Sequence, residues 1–96
     1  MYKDLDPLLH SQLRLTIISL LVASEKVDFT HIKEETKAAS GNISIQIKKL
    51  QDVGYIQVEK SFKNNYPNTT LTITSKGIEA FETYVNNLKK YINPKK

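Results

Sequence analysis

The fold is decided by the stretch SGNISIQIKKLQDVGYIQVEK at residues 40–60, where the spacing of apolar residues changes from a helical period to a period of two. The first part, residues about 40–53, is predicted to be a helix, and Gly54 follows at the position where glycine commonly ends one. Three apolar residues share one face of this helix: Ile43, Ile47 and Leu50.

A β-hairpin is predicted next, over residues about 55–74. Apolar residues share one face of each strand: Ile56, Val58 and Phe62 in the first, and Leu71 and Ile73 in the second. The segment between the strands, residues 63–69, is rich in turn-forming residues, so a long polar tip is expected.

The beginning of the chain predicts another helix. Asp6 can cap it and Pro7 fits its first position, and the apolar spacing continues to about Ala23. Ser11 is an alternative start, so that a bend at this point stays open. The tripeptide Lys26-Val27-Asp28 is long enough only for an edge strand.

A short helix is expected between these regions, from its cap Thr30 to Ala38-Ala39. The tight joint Ser40-Gly41-Asn42 separates it from the helix over residues 40–53. Two short helices, a tight joint and a hairpin describe a winged helix-turn-helix, an α+β fold that is mostly α.

The last helix is predicted over residues about 75–92, with Thr74 or Ser75 as its cap and Asn93-Pro94 as its stop. Its apolar positions form a heptad seam: Ile78, Phe81, Val85, Leu88 and Ile92. Two copies of the chain can pack seam to seam, so this is the expected dimer interface. The alternative is that the seam closes the core of its own chain.

Composition excludes several classes of function. The 96 residues form one domain, residues 1–96, with 40% hydrophobic and 25% charged residues. No cysteine is present, and two histidines are too few for a zinc site unless carboxylates complete it, so we expect no metal and no cofactor. His10 and His31 fall on different predicted helices with no evident base–nucleophile–orienter set, so we expect no enzyme site. The longest apolar run is too short for a membrane span, and the acidic start is unlike a signal peptide, so we expect a cytoplasmic protein without a membrane partner.

The net charge of +4 is unevenly distributed. Residues 1–39 carry five basic and six acidic side chains, whereas residues 40–76 carry five basic and two acidic ones. A basic half of this kind is typical of proteins that bind polyanions, nucleic acids among them, although it also serves solubility alone.

The helix over residues 40–53 presents the candidate DNA-binding residues Ser40, Gly41, Asn42, Ser44, Ile45, Lys48 and Lys49. In a helix-turn-helix, the N-terminal part of this helix meets base edges in the major groove. Asn42 suits adenine and Ile45 suits a thymine methyl, while the two lysines suit phosphates. The alternative is an ordinary helix entry followed by solvated lysines.

The hairpin tip offers a second set of candidate contacts: Lys60, Lys63, Asn64, Asn65 and Asn68. Such a polar loop can lie along the DNA backbone or enter a minor groove. It contains no arginine, the residue that narrow minor grooves favour. An ordinary long turn is the alternative.

The chain resembles the MarR/ArsR-type winged helix-turn-helix transcriptional regulators, in particular their short stand-alone branch. The matching motifs are Asp6-Pro7-Leu8-Leu9-His10-Ser11, Arg14-Leu15, Phe29-Thr30, Gly41-Asn42-Ile43-Ser44, Ile47-Lys48-Lys49-Leu50, Gly54-Tyr55-Ile56, Thr69-Thr70-Leu71-Thr72-Ile73-Thr74 and Gly77. The resemblance implies a dimerising C-terminal helix, a DNA-facing helix at residues 40–53 and a wing at residues 63–69. It also implies a small-molecule effector, which no residue of the sequence identifies.

The resemblance has two departures. The wing tip carries asparagine and tyrosine where relatives usually carry arginine and lysine, and the cysteine or histidine clusters of metal-sensing relatives are absent. The predicted function is that of a sequence-specific double-stranded DNA-binding transcriptional regulator, a homodimer on a palindromic operator. The alternative is a winged-helix protein–protein docking module that does not bind DNA, since a fold does not fix a function.

Overall fold

The computed structural model describes residues 2–92 as four helices and a small antiparallel sheet. The elements follow the order α1 (Gln12–Ser24), β1 (Lys26–Asp28), α2 (Phe29–Thr36), α3 (Ser40–Asp52), β2 (Ile56–Lys63), β3 (Tyr66–Ile73) and α4 (Ser75–Ile92). The α+β, mostly α, winged-helix fold class is therefore confirmed.

The helix α1 begins at the second of its two expected starts. Asp6 caps only an isolated turn, in which its side chain accepts a hydrogen bond from Leu8 N at 2.9 Å and its carbonyl oxygen accepts one from His10 N at 2.8 Å. Ser11 is then extended, with φ −150° and ψ 127°, so that the helix starts after it. The predicted start at Asp6 and Pro7 is wrong.

The joint between α2 and α3 differs from its prediction at both helix ends. The helix α2 begins after Asp28, not at Thr30. It ends at Lys37, which is left-handed with φ 57°, so the helix does not reach Ala38-Ala39. Ala39 is extended, and Ser40 is the first residue of α3. The predicted joint Ser40-Gly41-Asn42 is therefore wrong, because these residues lie inside α3 and residues 37–39 join the two helices.

The hairpin of β2 and β3, called the wing below, is closed by a two-residue turn. The strands pair from Ile56↔Ile73 to Lys63↔Tyr66. Asn64 has φ 53° and Asn65 has φ 68°, the left-handed conformation that a tight hairpin turn requires and that asparagine tolerates. The predicted long polar tip is wrong, because strand pairing continues through it. The three-residue strand β1 forms the other edge, in the order β1-β3-β2.

The wing is fixed to α4 at its base. Thr74 Oγ1 accepts a hydrogen bond from Gly77 N at 3.0 Å and donates one to the Gly54 carbonyl oxygen at 2.6 Å, as its predicted role of cap requires. A Cβ atom at Gly77 would lie 2.2 Å from the Tyr55 carbonyl oxygen, so only glycine permits this approach. The predicted stop at Asn93-Pro94 lies outside the described residues.

The core takes residues from all four helices and the sheet, and within residues 2–92 it contains no buried charged side chain. From α4 it takes Tyr84, of which 4% is exposed. Phe81 and Leu88 of the predicted seam pack against this core, whereas Ile78 and Ile92 are exposed. The seam is therefore shared between the chain's own core and the surface.

Candidate nucleic-acid interface

The helix α3 is anchored on one side and open on the other. Ile43, Ile47 and Leu50 are buried in the core. The predicted DNA-binding residues are all exposed: Ser40, Gly41, Asn42, Ser44, Ile45, Lys48 and Lys49. Ile45 is 56% exposed, an apolar side chain on an otherwise polar surface. The structure thus brings the predicted residues of α3 to one accessible surface.

Lys48 makes an ion pair within α3. Its Nζ lies 2.6 Å from Asp52 Oδ1, and the two side chains are 70% and 57% exposed. Pairs this exposed contribute about 0–1 kcal/mol, because water and salt screen them. A phosphate can therefore compete with Asp52 for the ammonium group.

The edge of α3 that faces α1 is held by side-chain hydrogen bonds. Arg14 donates from Nε to the Leu8 carbonyl oxygen at 2.6 Å and from a terminal nitrogen to Gln46 Oε1. Gln46 Nε2 in turn donates to Asn42 Oδ1 at 2.9 Å. Sequence reasoning missed this contact, although Arg14 is the single arginine of the sequence and stands among the apolar residues of its helix.

The opposite edge of α3 borders a groove that separates it from the wing. Ser44 and Lys48 line the groove from α3, and Lys60 and Thr69 line it from the strands. Two lysines from different elements thus meet at one concave surface. Such a surface favours a polyanion.

The predicted contacts of the wing do not share one face. Strand register places Lys60↔Thr69 and Phe62↔Pro67 on the face that begins with the buried Ile56. The other face carries the remaining wing candidates of the strands, Lys63 and Asn68, together with Tyr66. Only Lys60 of the predicted set therefore points towards α3, while Asn64 and Asn65 form the turn.

The tip of the wing exposes aromatic side chains. Phe62 is 77% exposed and Tyr66 is 75% exposed. Phe62 was expected on the core-facing side of its strand, and it is on that side, but the wing extends beyond the core at this point. The tip therefore exposes two aromatic rings beside Lys63 and the two asparagines of the turn.

The base of the wing is tied to the N-terminal segment. Tyr55 donates a hydrogen bond from its hydroxyl to Asp6 Oδ2 at 2.5 Å. Burial, helped by the hydrogen bond and the charge of Asp6, raises the pKa of Tyr55 to about 12. Lys76 lies 6.0 Å from the centre of the same ring. This cluster fixes the hairpin base from which the wing projects.

Neither a metal site nor a membrane span is found within residues 2–92. No group of three or more histidine or acidic side chains in this range is arranged to hold a metal ion. In the same part of the chain, no helix has the length and apolar character needed to cross a membrane.

Comparisons with known proteins agree with the winged-helix fold. A family model described as a winged helix DNA-binding domain matches residues 13–92. An uncharacterized protein of Methanocaldococcus jannaschii is 33% identical over 76 residues, which are 79% of this chain and 83% of that protein.

Two solved structures have a similar fold. A transcriptional regulator homologue from Pyrococcus horikoshii OT3 has a TM-score of 0.84 and 26% identity, over 91% of this chain and 86% of that one. A mutant MarR from E. coli, complexed with operator DNA, has a TM-score of 0.71 and 12% identity, over 93% of this chain and 63% of that one. The fold is thus MarR-like.

Proposed function

Because the chain belongs to the family of winged helix DNA-binding domains, we propose that it is a MarR-like transcriptional regulator. It is a single domain that acts as a homodimer and binds a palindromic operator in double-stranded DNA. DNA binding by a winged helix follows from the family. The operator contacts are inferred from α3, and the homodimer is inferred from α4.

The accessible side of α3 is the observation that carries the proposal. Its first two turns present hydrogen-bonding and apolar groups, and its second half presents Lys48 and Lys49. The buried residues of the opposite side hold this surface outward. A helix that presents hydrogen-bonding and apolar side chains first and lysines after them suits the major groove, where base edges and phosphates lie close together.

The proposed dimer uses the part of the α4 seam that the core leaves uncovered. Ile78 and Ile92 are exposed, the latter by 74%, and Val85 lies between them on the same side of the helix. Two copies packed along this strip would present two α3 helices to successive half-sites. Ile92→Asp is expected to shift the sedimentation of the protein from a dimer to a monomer. A monomeric native protein would contradict the dimer.

DNA binding is tested by titrating duplexes at several salt concentrations and by selecting bound sites from a random duplex pool. Lys49→Ala should weaken binding to all duplexes and lower the slope of log affinity against log salt by about 0.9 for the lost phosphate contact. Lys90→Ala removes the same charge from α4 and is the matched control. Native protein that binds no duplex at low salt would refute the proposed function.

One observation favours the docking module as the second candidate. Phe62 and Tyr66 expose apolar surface at the tip of the wing, as protein-binding surfaces do. The same titration decides between the two functions, because a docking module has no salt-dependent affinity for duplexes.

A further inference from the structure

Hydrogen bonds join Arg14, Gln46 and Asn42 in series, and this Arg14–Gln46–Asn42 chain determines which atom of the Asn42 amide faces outward from α3. It runs from α1 to the edge of α3 that faces α1: Arg14 donates to Gln46, and Gln46 donates to Asn42. Arg14 is itself fixed by the carbonyl oxygens of Leu8, at 2.6 Å, and Pro7, at 3.4 Å.

The chemistry of arginine fixes the orientation of both amides. A guanidinium group has only donors, so Gln46 has to turn its carbonyl oxygen towards Arg14. The amide nitrogen of Gln46 then faces Asn42, and a donor requires an acceptor. Asn42 therefore turns Oδ1 towards Gln46 and leaves its own NH₂ group facing outward.

The three residues of this hydrogen-bond chain differ in their exposure to solvent. Arg14 and Gln46 are half-buried, and Asn42 is exposed at the start of α3. The orientation of the Asn42 amide is thus set before any ligand arrives, and binding does not have to select it. Preorganised polar groups of this kind bind more tightly because their rotation is already restricted.

We propose that the Arg14–Gln46–Asn42 chain makes Asn42 a hydrogen-bond donor towards the duplex, and that the protein selects guanine at the base pair that Asn42 reads. Guanine presents two acceptors in the major groove, N7 and O6, whereas adenine presents one acceptor and an amino group that opposes the Asn42 NH₂. This inference rests on the proposed function. It replaces the adenine contact expected from the sequence, because Oδ1, the acceptor for the adenine amino group, is turned towards Gln46.

The test reverses the orientation of Asn42 without changing Asn42. In Gln46→Glu, both oxygens of the new side chain are acceptors, so the introduced carboxylate still pairs with Arg14 but Asn42 has to donate to it. The Asn42 oxygen then faces outward. Selection from a random duplex pool should give guanine for the native protein, by about tenfold over adenine, and a base with an amino group, adenine or cytosine, for this variant.

Two variants serve as controls for the same selection. Asn42→Ala identifies the base pair in question, because preference there should disappear while the other positions keep theirs. Gln51→Glu adds the same negative charge to the exposed side of α3 and should weaken binding without changing the preferred base. Thermal unfolding of each variant verifies that it is folded.

A fourth variant tests the same orientation without altering the contact between Gln46 and Arg14. Asn42→Asp changes an exposed side chain that accepts from Gln46 with one oxygen and presents the other outward, so it should also abandon guanine. An unchanged preference in Gln46→Glu and Asn42→Asp, with duplex binding retained, overturns this inference alone. Absence of duplex binding by the native protein overturns the proposed function and the inference with it.

Discussion

The helix α3 and the tip of the wing are the two surfaces for which the sequence predicts DNA contacts, and they are supported in opposite ways. Three buried residues and the side chain of Gln46 hold α3 against the core and α1. The tip, residues 61–68, includes no buried side chain, and Phe62 is 77% exposed. Support for the tip comes from strand pairing and from the base of the wing.

This difference assigns different roles to the two surfaces. Each buried apolar residue of α3 contributes about 1.5–3 kcal/mol to its attachment, so we expect this helix to keep its position when DNA binds. Within residues 2–92, side chains of the wing are buried near its base and not at its tip, so we expect the tip to adjust to the shape of a duplex. A change at the base therefore affects the whole protein, and a change at the tip affects at most binding.

The largest expected effect comes from breaking the base of the wing. In Gly77→Ala, the new Cβ would lie 2.2 Å from the Tyr55 carbonyl oxygen, so β2 and α4 have to move apart. We expect the free energy of unfolding to fall by about 3 kcal/mol or more, measured by urea denaturation. Gly41→Ala in α3 is the matched control, since no atom lies within 4 Å of its Cβ, and it should stabilise the protein by about 0.5–1 kcal/mol. Equal effects of the two changes would contradict the tight approach at Gly77.

The second prediction compares the cations of the two surfaces. Lys48→Ala combined with Lys49→Ala should lower the slope of log affinity against log salt by about 1.8, since both lysines lie on the accessible side of α3. Lys60→Ala with Lys63→Ala should lower it by about 0.9, because strand register turns only Lys60 towards α3. Fluorescence anisotropy on one duplex at several salt concentrations measures both slopes. A larger loss from the wing pair would reverse the roles assigned to the two surfaces.

The sequence predicts α3 better than it predicts the wing, because α3 is buried along one side whereas the tip of the wing is not. Burial on one side gives α3 a helical apolar period, and its end at Gly54 is confirmed by a left-handed φ of 82°. The tip of the wing extends beyond the core, so its residues 63–69 show no apolar alternation and look like a loop. Only the conformation of Asn64 and Asn65 reveals a tight turn.

The sequence could not predict the long-range contacts of α4 and α1. The heptad spacing of α4 is correct in period, but period alone cannot distinguish the chain's own core from a partner, and Tyr84 turned out to be the core residue. Arg14 and Gln46 are 32 positions apart, so no local pattern joins them. The orientation of Asn42 therefore became visible only in the structure.

The third prediction tests the base of the wing through pH. The pKa of Tyr55 is raised from 10.0 to about 12 by burial and by Asp6, so between these pH values the folded chain keeps a proton that the unfolded chain loses. The contribution of Tyr55 to the free energy of unfolding is therefore fully present below pH 10 and is lost as the pH rises towards 12. Tyr55→Phe should remove this component of the alkaline loss, as urea midpoints between about pH 9 and about pH 11.5 would measure. The same alkaline slope in both proteins would contradict burial of the hydroxyl.

The smallest expected effect is at the tip itself. Phe62→Ala removes a large aromatic side chain, yet we expect the free energy of unfolding to change by no more than about 0.5 kcal/mol, because the ring contributes little buried surface. Ile56→Ala on the same face of the same strand is the matched control. Its side chain is only 2% exposed, so its removal should cost about 2–5 kcal/mol. A cost above about 1 kcal/mol for Phe62→Ala would mean that the tip is held by packing, and the wing could then no longer be described as attached only at its base.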